Sequence, residues 1–255
     1  MKTAPGLPDA MFTLGRRPEG RPYWNVFDLC SDTVVKLCSV FNTPTAEARA
    51  LAFVHSNTSI PVPRIRRYIK GQRHGYLLME KIPGKRLDRV WPSYTPLQKF
   101  IVAWTLRGYI RQLRQASAAY ARRHIPGPIS DKPERCNGIA FLFGDRPRGP
   151  FNSSKELVAH FDKSGECLDY TQPLVLTHGD LSMRNVIVGD DGRLWLVDWT
   201  WSAFYPPYFE YIATMSAADN DDADHSWRKH IPIVTDGACV KELNFLQRWG
   251  SYAKG

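Results

Sequence analysis

The side chains best suited to chemistry fall in one segment of this 255-residue chain, between Leu174 and Trp201. It contains His178-Gly179-Asp180-Leu181-Ser182-Met183-Arg184-Asn185, and thirteen residues beyond Asn185 stands Asp198, at the end of the apolar run Leu194 to Val197. Phosphoryl transfer calls for such groups. A carboxylate must accept the proton of an attacking hydroxyl, and oxygen donors must hold a divalent cation against phosphates. Asp180 suits the first task, and Asn185 with Asp198 the second, which implies ATP and Mg²⁺ as cofactors. Arg184, four residues past Asp180, is the nearest cation that could stabilise charge on the moving phosphoryl group. A surface arginine in a basic protein is the competing reading.

Two upstream residues complete the set. Lys36 lies within Val34-Val35-Lys36-Leu37, where a lysine on a buried strand face needs a partner. Glu47, in the helix that should follow, can reach back to it and leave the ammonium to hold phosphates. Strand Lys, helix Glu, His-x-Asp-x-x-x-x-Asn and then Asp is the order in which kinases carry these groups.

On these residues the chain resembles the aminoglycoside phosphotransferase family of kinase-like enzymes, particularly its fungal phosphotransferase branch. The likeness extends over Glu47-Ala48, Thr58 to Pro63, Leu78 to Gly84, Gly149-Pro150-Phe151, the catalytic segment and Tyr205 to Tyr211, from about residue 33 to 215. The resemblance implies an α+β, bilobal protein-kinase-like fold with a small β-rich N-terminal lobe and a larger, mainly helical C-terminal lobe. It assigns Lys36 to the phosphates, Glu47 as its partner, Asp180 as the base, and Asn185 and Asp198 as metal ligands. It also matches Met79 to Ile82 to the hinge, where the Glu80 carbonyl and the Ile82 amide bond adenine. No G-x-G-x-x-G loop is present, and Leu14 to Gly20 is a poor substitute.

These residues need elements to hold them. β-branched runs predict strands over Met11 to Leu14, Tyr23 to Leu29, Thr33 to Cys38, Ile65 to Ile69 and Tyr76 to Ile82, with a polar turn at Gly71 to Gly75. Thr43-Pro44 announces a helix through Glu47, Leu51 and Val54 to about Ser56. Beyond Pro83-Gly84, Leu97, Ile101, Trp104, Leu106, Ile110 and Leu113 read as an amphipathic helix. Residues 122–152 read as a long surface excursion. Ser153 to Phe161, Pro206 to Ala217 and Val240 to Trp249 read as helices, and the Gly189 to Gly192 turn makes a hairpin of the strands around it. Two lobes follow, 1–82 and 83–255, the first binding ATP and the second carrying catalysis and the acceptor.

Composition excludes other classes. Hydrophobic residues at 43% and charged residues at 23% rule out a disordered chain. Apolar runs fall far short of the roughly 18 residues of a membrane span, and the first residues lack the apolar core of a signal peptide, so a cytoplasmic protein with no membrane contact is expected. Five cysteines without a C-x-x-C pair suggest reduced thiols. The formal charge of +9 is uneven: +5 over residues 1–80, +10 over 81–160 and −6 over 161–255. The basic stripe Arg107, Arg111 and Arg114, with Arg122 and Arg123, invites a nucleic-acid reading that the acidic last third opposes. The acceptor reads as a small molecule, because Gly179 replaces the Arg that protein kinases use to meet an activating phosphate and no A-P-E follows Asp198. Asp219 to Asp224 could receive a polyamine-like or aminoglycoside-like cation, with an amino-alcohol a further candidate acceptor; a solvated loop is the alternative. Glu210 reads as a first-turn helix acid. A protein kinase and an inactive nucleotide-binding scaffold are the alternative functions, and no oligomeric state is assigned.

Overall fold

The computed structural model describes residues 25–39, 44–70, 74–120, 124–137, 143, 147–162, 164 and 167–252. The expected strand Met11 to Leu14, the segment Leu14 to Gly20, Arg122 and Arg123 lie outside the described residues, as does most of the turn after Lys70. Strands β1 (Val26–Cys30), β2 (Thr33–Ser39), β3 (Ile65–Lys70) and β4 (His74–Glu80) form an antiparallel sheet in the order β1-β2-β4-β3. The apolar strands β2 and β4 take the centre and the arginine-bearing β3 an edge, as burial of one and solvation of the other require. Register pairs Val34 with Met79 and Lys36 with Leu77, so these four side chains share one face. Helix α1 (Pro44–Asn57) carries Glu47 to that face within its own buried stripe of Glu47, Ala50, Leu51 and Val54.

The chain leaves this sheet at Glu80 and enters a second one four residues later. Strand β5 (Gly84–Arg86) pairs with β7 (Val186–Gly189), which pairs with β8 (Leu194–Leu196), while β6 (Val175–Thr177) pairs with β9 (Ala203–Tyr205). Only glycine fits at Gly84: its φ is +142°, and a Cβ there would lie 2.3 Å from the Val188 carbonyl oxygen. Helices α2 (Leu87–Val90), α3 (Pro96–Ala118), α4 (Ser154–Phe161), α5 (Tyr208–Asn220), α6 (His225–Val234) and α7 (Val240–Tyr252) supply the rest. The architecture is α+β, a small antiparallel sheet unit with one helix followed by a larger, mainly helical unit. Helix α6 is absent from the sequence reading, because its polar first turn and internal Pro232 hide the helical period.

Helix α3 corrects the expected stripe. Its buried side is Val102, Ala103, Leu106, Ile110, Leu113 and Ser117, whereas Leu97, Ile101 and Trp104 are exposed together with Phe100. At 100° per residue, Trp104 and Leu106 stand on opposite sides and cannot share one stripe. The excursion also differs from expectation. Gly127 and Phe204 exchange backbone hydrogen bonds of 3.1 and 2.8 Å, and Glu134 accepts from Arg49 of α1 at 3.0 Å. Cys136, Phe143 and Phe151 are buried in the core. The segment therefore straps α1 to β9, a role that its Pro, Gly and Arg content conceals.

The arginine stripe has an internal anion. Asp236, just past α6, accepts from Arg107, from Arg111 at 3.1 Å and from Arg114 at 3.4 Å, and Arg114 also reaches the Thr235 carbonyl at 2.8 Å. Asp236 has φ of +60°, a conformation that Asp and Asn tolerate better than other side chains. Asp236→Asn keeps that tolerance and removes the charge. It is expected to lower stability by about 1 kcal/mol, as the loss of charge-assisted bonds at a partly exposed cluster implies. Urea unfolding measures this, and parental stability in the variant would show that the clasp holds nothing together.

Candidate active site

Three elements aim polar groups at one buried ammonium. Lys36 on β2 is 4% exposed. Its Nζ donates to Glu47 Oε1 of α1 at 3.0 Å, to Asp198 Oδ1 beyond β8 at 2.7 Å and to Thr200 Oγ1 at 2.6 Å. Burial alone would discharge this lysine, but Asp198 and Glu47 outweigh burial and hold its pKa above the usual lysine range. Against its own burial, Asp198 is held down to about 2 by Lys36. Asp198 has φ of +65°, which turns its carboxylate out of the strand direction toward Lys36. Glu47 also accepts from the Trp199 amide at 3.2 Å, so helix α1 grips the backbone next to Asp198.

The start of the loop between β6 and β7 is held through its backbone amides. Glu210, in the first turn of α5, is buried and accepts from the His178 amide at 2.6 Å and the Gly179 amide at 3.3 Å. Burial pushes its pKa up to about 7, against the pull of those two amides. Gly179 has φ of +78°, and a Cβ there would lie 2.4 Å from the Trp201 carbonyl oxygen, so the arginine of protein kinases has no room here. His178 accepts from the Asp180 amide through Nδ1 at 3.3 Å, and its Nε2 stands 3.2 Å from the Val197 carbonyl. One neutral tautomer satisfies both contacts, and burial lowers its pKa to about 4.

Asp180 has both carboxylate oxygens engaged. Arg184 Nη2 donates to Oδ1 at 3.0 Å and to Oδ2 at 2.9 Å, and Asn185 Nδ2 donates to Oδ2 at 2.8 Å and to the Asp180 carbonyl at 2.8 Å. Burial nonetheless pushes Asp180 up to about 6, opposed by Arg184. Asn185 is tied to the Asp198 segment by a 3.0 Å bond from the Val197 amide to the Asn185 carbonyl. Asp180, Asn185 and Asp198 thus belong to one connected cluster, and their oxygens are the donor type a hard divalent cation takes. Arg184 also pairs with Asp221. The guanidinium sits between two carboxylates, because the nearest anion is Asp180 one turn before it.

A cavity opens beside Lys36. Val26, Val34, Leu51, Met79, Ile82, Ile187 and Val197 give it apolar walls, and Lys36, Glu47, Glu80 and Asp198 line it too. Glu80 and Ile82 therefore line the same cavity as the ion cluster. That lining suits a flat heterocycle with a charged tail.

Two residues here escape the sequence reading. Thr200 follows Asp198 by two positions, and only that proximity could have marked it. Glu210 has its first-turn place, but its carboxylate turns inward onto the catalytic loop. The acidic cluster is largely paired: Asp219 with Arg228, Asp221 with Arg184, and Asp224 with the Ser226 amide at 2.8 Å.

The fold and this site define a kinase-like phosphotransferase. The model of the phosphotransferase enzyme family, APH, matches residues 31–231, and the chain belongs to that family. Among solved structures it is similar to aminoglycoside phosphotransferase APH(3'')-Id from Streptomyces rimosus ATCC10970, at 17% identity over 87% of this chain and 88% of that one, with a TM-score of 0.52. It is also similar to an aminoglycoside-3'-phosphotransferase of type VIII, at 16% identity over 91% and 89%, with a TM-score of 0.56. APH(2")-IIa, solved as a ternary complex with streptomycin and ATP, shares 14% identity over 92% and 83%, with a TM-score of 0.52. No curated protein matches the chain.

Glu210 generates a pH test. Its folded pKa of about 7 exceeds the ordinary 4.5, so its contribution is full below the unfolded value and is lost as pH rises through 7. Glu210→Gln carries no such loss. The stability advantage of the parent over the variant should shrink by about 2 kcal/mol between pH 5 and pH 7.5. Urea unfolding at the two pH values checks this, and a constant difference contradicts it.

Proposed function

We propose that this protein transfers the γ-phosphoryl group of ATP to a hydroxyl of a small molecule. The observation that carries the reading is the convergence of Lys36, Glu47 and Asp198 at one end of the apolar cavity, with Asn185 bonded to Asp180 and tied by its carbonyl to the Val197 amide next to Asp198. The lobe boundary is placed between residues 82 and 83, where the chain passes from the first sheet to the second. Glu80 and Ile82 line the adenine end through the carbonyl and amide respectively, and Lys36, steadied by Glu47, meets the phosphates. Asn185 and Asp198 would hold Mg²⁺, which when bound neutralises charge on the phosphates. No group of three acidic, histidine or cysteine side chains suited to a metal occurs among the described residues, so the phosphates would complete the shell.

Asp180 orients the acceptor hydroxyl and takes its proton as the new O–P bond forms and the bond to the ADP oxygen breaks. A carboxylate with pKa near 6 is ionised at neutral pH, yet more basic than an exposed one. Arg184 holds that carboxylate in place from one side and Asn185 from the other. Between Asp198 and α5, which starts at Tyr208, there is space for β9 and short turns but not for a long activation segment, which favours a small acceptor over a protein. The relatives solved with streptomycin support an aminoglycoside-like or amino-alcohol acceptor. The internal pairing of Asp219, Asp221 and Asp224 means that any acceptor cation competes with Arg184 and Arg228 there.

A screen of alcohols and amino-alcohols with γ-labelled ATP tests the reading, and label found only in inorganic phosphate would contradict it. With an acceptor in hand, Asp180→Asn is expected to lose ~10²–10⁴-fold in kcat while keeping ATP affinity. Turnover within about threefold of the parent would remove Asp180 from the base role. In the parent, kcat/KM should rise with pH through a midpoint near 6 as Asp180 ionises, and a flat profile from pH 5 to 7.5 would contradict that.

A further inference from the structure

Thr200 stands where three ionised groups meet. Its Oγ1 lies 2.6 Å from Lys36 Nζ, 2.7 Å from Asp198 Oδ1 and 3.1 Å from Glu47 Oε2. An ammonium only donates, so the first contact is a bond that Thr200 accepts. The hydroxyl has one proton to give and two carboxylates within reach. Rotation about its C–O bond passes that proton from Asp198 to Glu47 while every heavy atom stays in place.

In the arrangement seen, Asp198 Oδ1 receives Lys36 directly and stands at the shorter of the two hydroxyl distances. Those two bonds occupy both lone pairs of Oδ1, and releasing one of them opens that oxygen to a cation. We propose that Thr200 is a positioning residue: its hydroxyl turns from Asp198 to Glu47 when the metal–nucleotide complex enters, which frees Asp198 for the cation while keeping Lys36 tied to Glu47. The inference rests on the reading above in which Asp198 holds Mg²⁺. A valine here keeps the branched shape but leaves one buried N–H of Lys36 without its acceptor, which draws the ammonium harder onto Asp198. More cation is then needed to separate the pair.

The test is calorimetric titration of the intact chain with ATP over a series of Mg²⁺ concentrations, for the parent, Thr200→Val, Thr200→Ala, Thr200→Ser and Asp198→Ala. A hydrogen bond between charged and polar groups supports a factor of about ten or more. Thr200→Val and Thr200→Ala should need roughly tenfold more Mg²⁺ for half of the metal-dependent gain in ATP affinity. Thr200→Ser, which restores the hydroxyl, should return the Mg²⁺ requirement to within about twofold of the parent. A role limited to packing would lower melting temperature without moving the Mg²⁺ requirement. If Thr200→Val does not fold, Thr200→Ala carries the comparison.

Parental Mg²⁺ dependence in the valine or alanine variant overturns the inference, as does a serine variant displaced as far as valine. In those cases a normal contrast between parent and Asp198→Ala leaves the proposed function standing. Equal, metal-independent ATP affinity in parent and Asp198→Ala overturns both.

Discussion

A lysine ammonium taken out of water is tolerable only with carboxylates around it, and that constraint organises this molecule. An unpaired charge at the depth of Lys36 would cost several kcal/mol. The sheet supplies the lysine, helix α1 supplies Glu47, and the turn after β8 supplies Asp198 and Thr200. These elements come from both sides of the hinge, so one buried cation links the two halves of the fold. The backbone of Asp198 accepts a positive φ to meet it. The strap at residues 124–137 serves the same end, since Glu134 on Arg49 and Gly127 on Phe204 fix α1 and keep Glu47 facing the lysine.

The loop between β6 and β7 is governed by a second buried acid, Glu210, which holds two successive amides and so sets the approach to Asp180. Asp180 itself is shaped by opposing forces. Burial raises its basicity, while Arg184 and Asn185 keep it from rising further and fix its two oxygens. Nothing in this arrangement waits for a phosphorylated loop: Gly179 has no side chain and no space for one, and helix α5 follows soon after β9. A preformed site of this kind fits an enzyme whose acceptor is small.

Much of this was legible in the amino-acid sequence, for a definite physical reason. Lys36 in a β-branched run, Glu47 in a capped helix and Asp180, Asn185 and Asp198 between apolar runs are all polar residues placed where only a partner makes them tolerable. What escaped was whatever depends on the third dimension. Which side of α3 faces inward required its neighbours, so Trp104 was grouped with Leu106 although the two point apart. The pairing of Arg184 with Asp221 was hidden because the two lie 37 residues apart. The arginine stripe looked available for nucleic acid for the same reason, since Asp236 follows a helix hidden by Pro232. Thr200 carried no pattern and Glu210 showed only as a first-turn acid, for such groups gain their further meaning from what they touch.

The central claim is that the cluster around Lys36 is the phosphate end of a nucleotide site and that Asp198 passes from lysine to metal there. A crystal structure of the intact chain with Mg²⁺ and a non-hydrolysable ATP analogue tests it most directly. The account predicts adenine against Glu80 and Ile82, Lys36 on phosphate oxygens while still paired with Glu47, and the cation on Asn185 and Asp198 with the direct Lys36–Asp198 contact opened. A nucleotide bound elsewhere, or one in the cavity with Lys36 and Asp198 still paired and the cation on other residues, would contradict it.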